Sequence, residues 1–201
     1  MSASTIRTAR RSITLAAAGC LTAGLAAAFA GCGQPTPIIP EGAWAVSFIQ
    51  PNAIDCQIAN HNTAIGEVSA DQRANLVEDE EVQGGFKVSV VCSVVPKDGK
   101  FKVSANETSE NGSYLTLSIP ELDPKATVDK PSLGVVSYQS QNTAKTFSQS
   151  DCAFYFLKGQ SVDDGEIFIT FECDKIAAGG DNICQIKPGY AAFSKCATTE
   201  Q

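Results

Sequence analysis

One histidine, His61, is all that this 201-residue chain offers to imidazole chemistry. A Ser-His-Asp or Cys-His relay would have to run through it, and it lies in "ANHNTA", which reads as a polar turn. No G-x-S-x-G elbow, H-E-x-x-H pair, Walker loop or dinucleotide fingerprint occurs, so no cofactor is expected. Basic residues are scarce as well, 15 against 22 acids. An acidic surface repels phosphate backbones, which argues against nucleic acid as a partner. No two cysteines stand at C-x2-C or C-x4-C spacing, so zinc ligation is not expected and no metal is assigned. The lone tryptophan, Trp44, precedes Cys56 and every later cysteine, which removes the immunoglobulin signature of a tryptophan between two paired cysteines. Long amphipathic helical patterns are also scarce.

What is present begins with an address. Arg7, Arg10 and Arg11 are followed by an uncharged stretch from Ser12 to Pro40, rich in Ala, Leu and Gly in its first part. A basic segment leading into an apolar one is the form of an export signal. The run approaches the roughly 20 residues of a transmembrane helix, but Ala and Gly are weakly apolar and the small residues at its end suit a peptidase. All the acids lie beyond the signal, so the exported part is more acidic than the −7 of the whole chain.

The signal ends in "FAGC", residues 29 to 32, which resembles the lipobox of bacterial lipoproteins. In that family a peptidase cuts before the cysteine, whose thiol carries a diacylglycerol. The resemblance therefore implies that Cys32 is lipidated and attaches the protein to a membrane. A second small-small-Cys ending, "AAGC" at residues 17 to 20, would strand Cys32 as an odd thiol. Cutting at Cys32 leaves an even set of six: Cys56, Cys92, Cys152, Cys173, Cys184 and Cys196. The expected organisation is a signal peptide over 1–31, a Pro-rich tether over 32–42 and a folded domain over 43–201. Gly33 and Gln34 lack the Asp that retains many lipoproteins at the inner membrane, so an outer-membrane or cell-surface location follows.

In the domain, side chains alternate with period two, as half-buried strands require. "AWAVSFI" puts Trp44, Val46 and Phe48 on one face, and "FKVSVVCSVV" does the same with Phe86, Val88, Val90, Cys92 and Val94. "PKDGK" between alternating runs predicts a hairpin. A second hairpin is expected where "CAFYFLKG" and "EIFITFEC" flank "QSVDDG", and a third turning at Pro188-Gly189. Residues 69–81 suit either a few helical turns or a strand and loop. Seven or eight short strands predict an all-β fold, a two-sheet antiparallel β-sandwich of Ig-like or jelly-roll-like form, braced by disulfides. The order of "GAWAVSF", "VSVVCSVV", "SDCAFYF", "GEIFITFEC" and the closing Cys184 and Cys196 resembles small exported lipoproteins of myxobacteria and their relatives, a resemblance that implies no activity.

Six cysteines in an exported domain imply an oxidising compartment and three bridges. Cys152 shares parity with Phe154 and Phe156, and Cys173 with Ile167, Ile169 and Phe171, so both thiols point at the core from strands expected to pair. Cys184 and Cys196 would then bridge the last hairpin, leaving Cys56 with Cys92. The same alternation sends Tyr155, Leu157 and Phe168 to the outer face. Three large apolar groups there make a candidate binding face, unless the loop at 120–132 or a second sheet covers them. The acidic runs Glu78–Glu81 and Asp163–Glu166 read as solvated edges, without EF-hand spacing for Ca²⁺. The expected function is a lipid-anchored, non-enzymatic binding or structural module whose ligand is an envelope protein or a glycan. The alternative is a carbohydrate-active module or small hydrolase using two carboxylates about 5–9.5 Å apart.

Overall fold

The computed structural model describes residues 38–179 and 182–199, which places Cys32 and the signal peptide outside the described residues. Fourteen strands follow one another: β1 (Glu41–Ile49), β2 (His61–Ile65), β3 (Glu67–Val68), β4 (Arg73–Asn75), β5 (Val77–Glu78), β6 (Val82–Gln83), β7 (Phe86–Lys97), β8 (Lys100–Ser109), β9 (Tyr114–Leu122), β10 (Ser132–Gln139), β11 (Phe147–Tyr155), β12 (Ser161–Asp163), β13 (Glu166–Ala177) and β14 (Ile183–Ser194). No helix occurs among the described residues, and 69–81 resolves into short strands and turns. Alternation shows in β7, β8, β9 and β10, whereas β13 buries residues 167 to 171 in succession, and Phe86, expected inward at the start of β7, is exposed at the open strand end. Trp44, Val46 and Phe48 point inward from β1, and Val88, Val90, Cys92 and Val94 from β7.

The expected all-β class holds, with a difference in how the strands join. Twelve of them form a single antiparallel sheet in the order β2-β1-β14-β13-β11-β10-β9-β8-β7-β6, with β12 against β13 and β5 against β1. The sheet curls until it is nearly barrel-shaped. Closure is made by β5, which pairs through Glu78 and Val77 with Glu41 and Gly42 of β1. From there the chain turns onto β7, where Glu80 N–H donates to the Val88 carbonyl (2.8 Å) and Asp79 Oδ1 accepts from Val90 N–H (2.8 Å). The chain end adds a second stitch, since Ala197 N–H donates to the Cys92 carbonyl and Val94 N–H to that of Ala197, both at 2.9 Å. Curling removes sheet edges, and it gathers one continuous core from every long strand.

The "PKDGK" turn is a two-residue hairpin between Lys97 and Lys100, with Asp98 and Gly99 both at positive φ. The second hairpin also forms, tightening to Asp163↔Glu166 across Asp164-Gly165. The third does not. β14 runs unbroken from Ile183 to Ser194, with a cis Lys187-Pro188 bond inside it, beside shifts in its register with β1 and β13. A turn is unnecessary because Pro188 sits at an irregularity where no ladder bond is needed. Gly189 is required there by packing: a Cβ on it would meet the Phe171 ring at 2.3 Å.

This continuous strand corrects the disulfides. Cys184 and Cys196 lie near its two ends, separated by a span of roughly 40 Å at ~3.3 Å per residue, and cannot meet. The bonds are Cys56–Cys184, Cys92–Cys196 and Cys152–Cys173. Only the third matches the expected pairing, because it alone joins directly opposed positions on neighbouring strands. Cys56–Cys184 pins the 50–60 loop to the start of β14, where Ile183 N–H also donates to the Asp55 carbonyl (2.6 Å). Cys92–Cys196 pins the chain end across the closing seam.

Candidate functional site

The only histidine is not in a free turn. It opens β2, opposite Phe48, on which its ring stacks at 4.9 Å. His61 Nδ1 lies 2.9 Å from the Ala59 carbonyl, an obligate acceptor, so the hydrogen belongs on Nδ1 and Nε2 of the neutral ring accepts. Ser140 Oγ stands 3.1 Å and the Tyr138 hydroxyl 3.0 Å from that Nε2. Tyr138 also donates to Thr63 Oγ1 (3.0 Å), and Asn142 N–H donates to Ser140 Oγ (3.2 Å), which leaves the serine proton for His61. A serine, a base and an orienting carbonyl are thus aligned as in nucleophilic catalysis. Ser140 is only 2% exposed, however, so a substrate has no approach to it. The cluster ties β2, β10 and the 50–60 loop together at one end of the barrel. Tyr138 and Ser140 carried no sequence signal for this role, since nothing in their local pattern points to His61 across the fold.

Inside the barrel lies a stranger group. Glu107 faces inward from β8, in a row with Val90 of β7, Leu115 of β9 and Tyr138 of β10. Its side chain is fully buried and neither carboxyl oxygen has a hydrogen-bond partner. Burial alone pushes its pKa well above the usual carboxylate range. Trp44, one inward position along β1 from the Gly42 that Glu107 touches, has an indole N–H that is likewise unpartnered. Alternation assigns an inward position to residue 107 but carries no hint that a carboxyl there would go unpaired.

Carboxylates at the surface are engaged differently. Lys195 Nζ lies 2.5 Å from Glu41 Oε1 and 3.7 Å from Glu78 Oε1. The lysine's hydrogen bond holds the Glu41 pKa below its ordinary value, opposite to what a general acid needs. In the Glu78–Glu81 run, Asp79 holds Val90 N–H, Glu80 pairs with Lys87, and Glu81 accepts from Glu78 N–H at 3.0 Å. In the other run, Glu166 pairs with Arg73 at 3.2 Å. Among the described residues no cluster of His, Cys, Asp or Glu is arranged to hold a metal ion. Comparison with protein-family models, with curated proteins and with solved structures finds no match to this chain.

Tyr155, Leu157 and Phe168 do not make an exposed face. Tyr155 is 7% and Phe168 4% exposed, and Leu157 is half-buried. Phe156 N–H donates to the Ala126 carbonyl of the 120–132 loop (3.1 Å), and Gln160 ties the turn at 156–160 to the loop of the β3–β4 hairpin. That side chain accepts from Leu157 N–H (3.0 Å) and Thr170 Oγ1 (2.9 Å), and donates to the Ala70 carbonyl (2.9 Å) in the hairpin loop. Arg73 then reaches Glu166 on the far side. Tyr155 in turn donates to Glu172 Oε1 (3.0 Å), and burial raises its pKa. The open surface lies elsewhere. On the outside of β7–β9 a shallow trough of about 330 Å³ is lined by Val91, Ser93, Lys102, Ser104, Asn106 and Ser118.

Proposed function

We propose that this chain is a lipid-anchored cell-envelope protein that displays a disulfide-braced β-barrel as a non-enzymatic binding or structural module. The observation that carries this reading is the cysteine pairing: all six cysteines beyond Cys32 are used in three bonds, and none remains to pair with Cys32. That pattern suits an oxidising compartment and leaves the lipobox cysteine for acylation. Among the described residues the only carboxyl with a raised pKa is sealed in the core, and the one serine aligned on histidine is buried, which supports binding over catalysis. We read the barrel as flattened in the manner of a sandwich, with β7–β10 facing β1, β14 and β13. Its surface for an envelope protein or a glycan is the small-residue trough of β7–β9. The anchor is tested by fractionation. Burial of each acyl CH₂ contributes roughly 0.8 kcal/mol, and stable attachment takes two chains. The wild type should partition into detergent while Cys32→Ser is released; a Cys32→Ser protein that stays with the membrane overturns the reading.

A further inference from the structure

The join that closes the barrel is thin. β7 and β8 are held by ten opposed pairs, whereas β1 meets β5 through only two, Glu41↔Glu78 and Gly42↔Val77. The unpartnered carboxyl of Glu107 packs directly beneath this join: a Cβ on Gly42 would stand 2.6 Å from Glu107 Oε2 and 2.8 Å from the Phe193 ring. We propose that Glu107 is a proton-controlled latch on this seam: as a neutral acid it lets β1, β5 and β7 close over it, and on ionisation it drives the β5 join open to water.

The physical case starts from cost. A neutral carboxyl buried without a partner is tolerated at the expense of its lost hydrogen bonds with water, but an isolated carboxylate in an apolar interior is far more costly. No charged partner faces Glu107 from the strands it touches. β7 presents Val90, β9 Leu115, β14 Phe193 and β1 Gly42, none of them charged. Of the titratable groups on the packed elements, Tyr138 lies in the same row on β10 and Glu41, Glu78, Asp79 and Lys195 stand around the seam, while Lys87, Lys97, Lys100, Lys102, Glu121 and Lys187 are exposed. Lys195 is held by Glu41 and Glu78, and Asp79 by Val90 N–H. Burial is accordingly the only cause acting on the Glu107 titration.

Losing its proton to solvent, Glu107 can regain stability only by meeting water. The easiest route is the two-pair join, because the neighbouring stitch at Cys92–Cys196 is covalent and the other inward contacts belong to long strands. Opening therefore stays local, at Gly42 and at Val77–Asp79. Its direction follows from linkage. The closed state keeps the proton at a pH where the open state has released it, so opening becomes easier as pH rises from the ordinary carboxylate range to the raised value of the closed state, and then levels off.

Amide hydrogen exchange on the oxidised mature chain in detergent tests this, with rates corrected for their intrinsic pH dependence. Between about pH 5 and about pH 9, protection at Gly42 and Val77–Asp79 should fall by up to about tenfold per pH unit over the window in which only the open state is ionised. Protection along β8, β9 and β13 should hold. Glu107→Gln and Glu107→Met, which cannot ionise, should keep the seam protected throughout. A flat wild-type profile overturns the proposal, as does the same fall in both variants or a fall shared by all strands. If neither variant folds, the infrared carbonyl band of a protonated acid decides the matter in the wild type. It must fade in step with seam protection, and a fall in protection without that fading overturns the proposal.

Discussion

Replacing Gly189 by alanine adds one methyl group at the point where β14 crosses the Phe171 ring. That Cβ would lie 2.3, 2.5 and 2.7 Å from three ring carbons, against ~3.5–4.0 Å for a carbon contact at rest. The ring must therefore move by about 1 Å or more. It has little room, being fully buried, bonded in sequence to β13 and packed on Phe154 at 5.7 Å between centroids. Overpacking of this kind costs about 1–3 kcal/mol. Gly189 is not among the residues at positive φ, so alanine meets no backbone strain there, and a stiffer unfolded chain returns about 0.4–1 kcal/mol. The net loss is about 1–2 kcal/mol, a drop in Tm of roughly 2–8 °C for a domain of this size. Thermal unfolding by far-ultraviolet circular dichroism without reductant measures it. Phe171→Leu should relieve part of the clash, so a double-mutant cycle should show coupling between the two sites. A Gly189→Ala loss below about 0.5 kcal/mol, or no coupling with Phe171→Leu, would refute the packing argument and favour a turn at Pro188-Gly189.

Cys92→Ser with Cys196→Ser opens a loop of sequence separation 104 and should cost about 4–5 kcal/mol by loop entropy, read as a lower denaturant midpoint. Gln160→Ala removes three hydrogen bonds at the turn over 156–160. It should cost about 1–3 kcal/mol and speed tryptic cleavage after Arg73, whereas unchanged cleavage would show that the hairpin is held by other contacts. Burial raises the pKa of Tyr138, Tyr155 and Tyr190. The unfolded chain then loses phenolic protons first, so folding stability should fall as pH rises above the ordinary tyrosine value of about 10. Phenolate absorbance should lag behind that of the denatured chain.

Period-two alternation is enough to read the inward residues of β1 and of β7 from Val88 onward, because a strand with one buried face must alternate, but it misses the exposure of Phe86 and the burial of both faces of β13. It also found the Asp98-Gly99 hairpin, whose two positive φ angles demand such residues. What failed was anything set by long-range closure. Cys92 meets Cys196 only because the chain end stitches onto β7, a relation that no local pattern carries. Pro188-Gly189 has the composition of a turn, yet the same residues also serve a strand that is irregular at Pro188 and bare at Gly189. Alternation marks Tyr155 and Phe168 as outward, yet both are buried, and no local pattern announces that burial. Likewise His61 was seen as the only imidazole, while its partners Tyr138 and Ser140 come from β10 and the turn after it.

A lipid-anchored mature chain must begin at Cys32. Mass spectrometry of the N-terminal peptide, taken from protein purified from membranes of a bacterial host, addresses it directly. This peptide should begin at Cys32 and carry a thioether-linked diacylglycerol. A mature N-terminus elsewhere, or an unmodified Cys32, would contradict it.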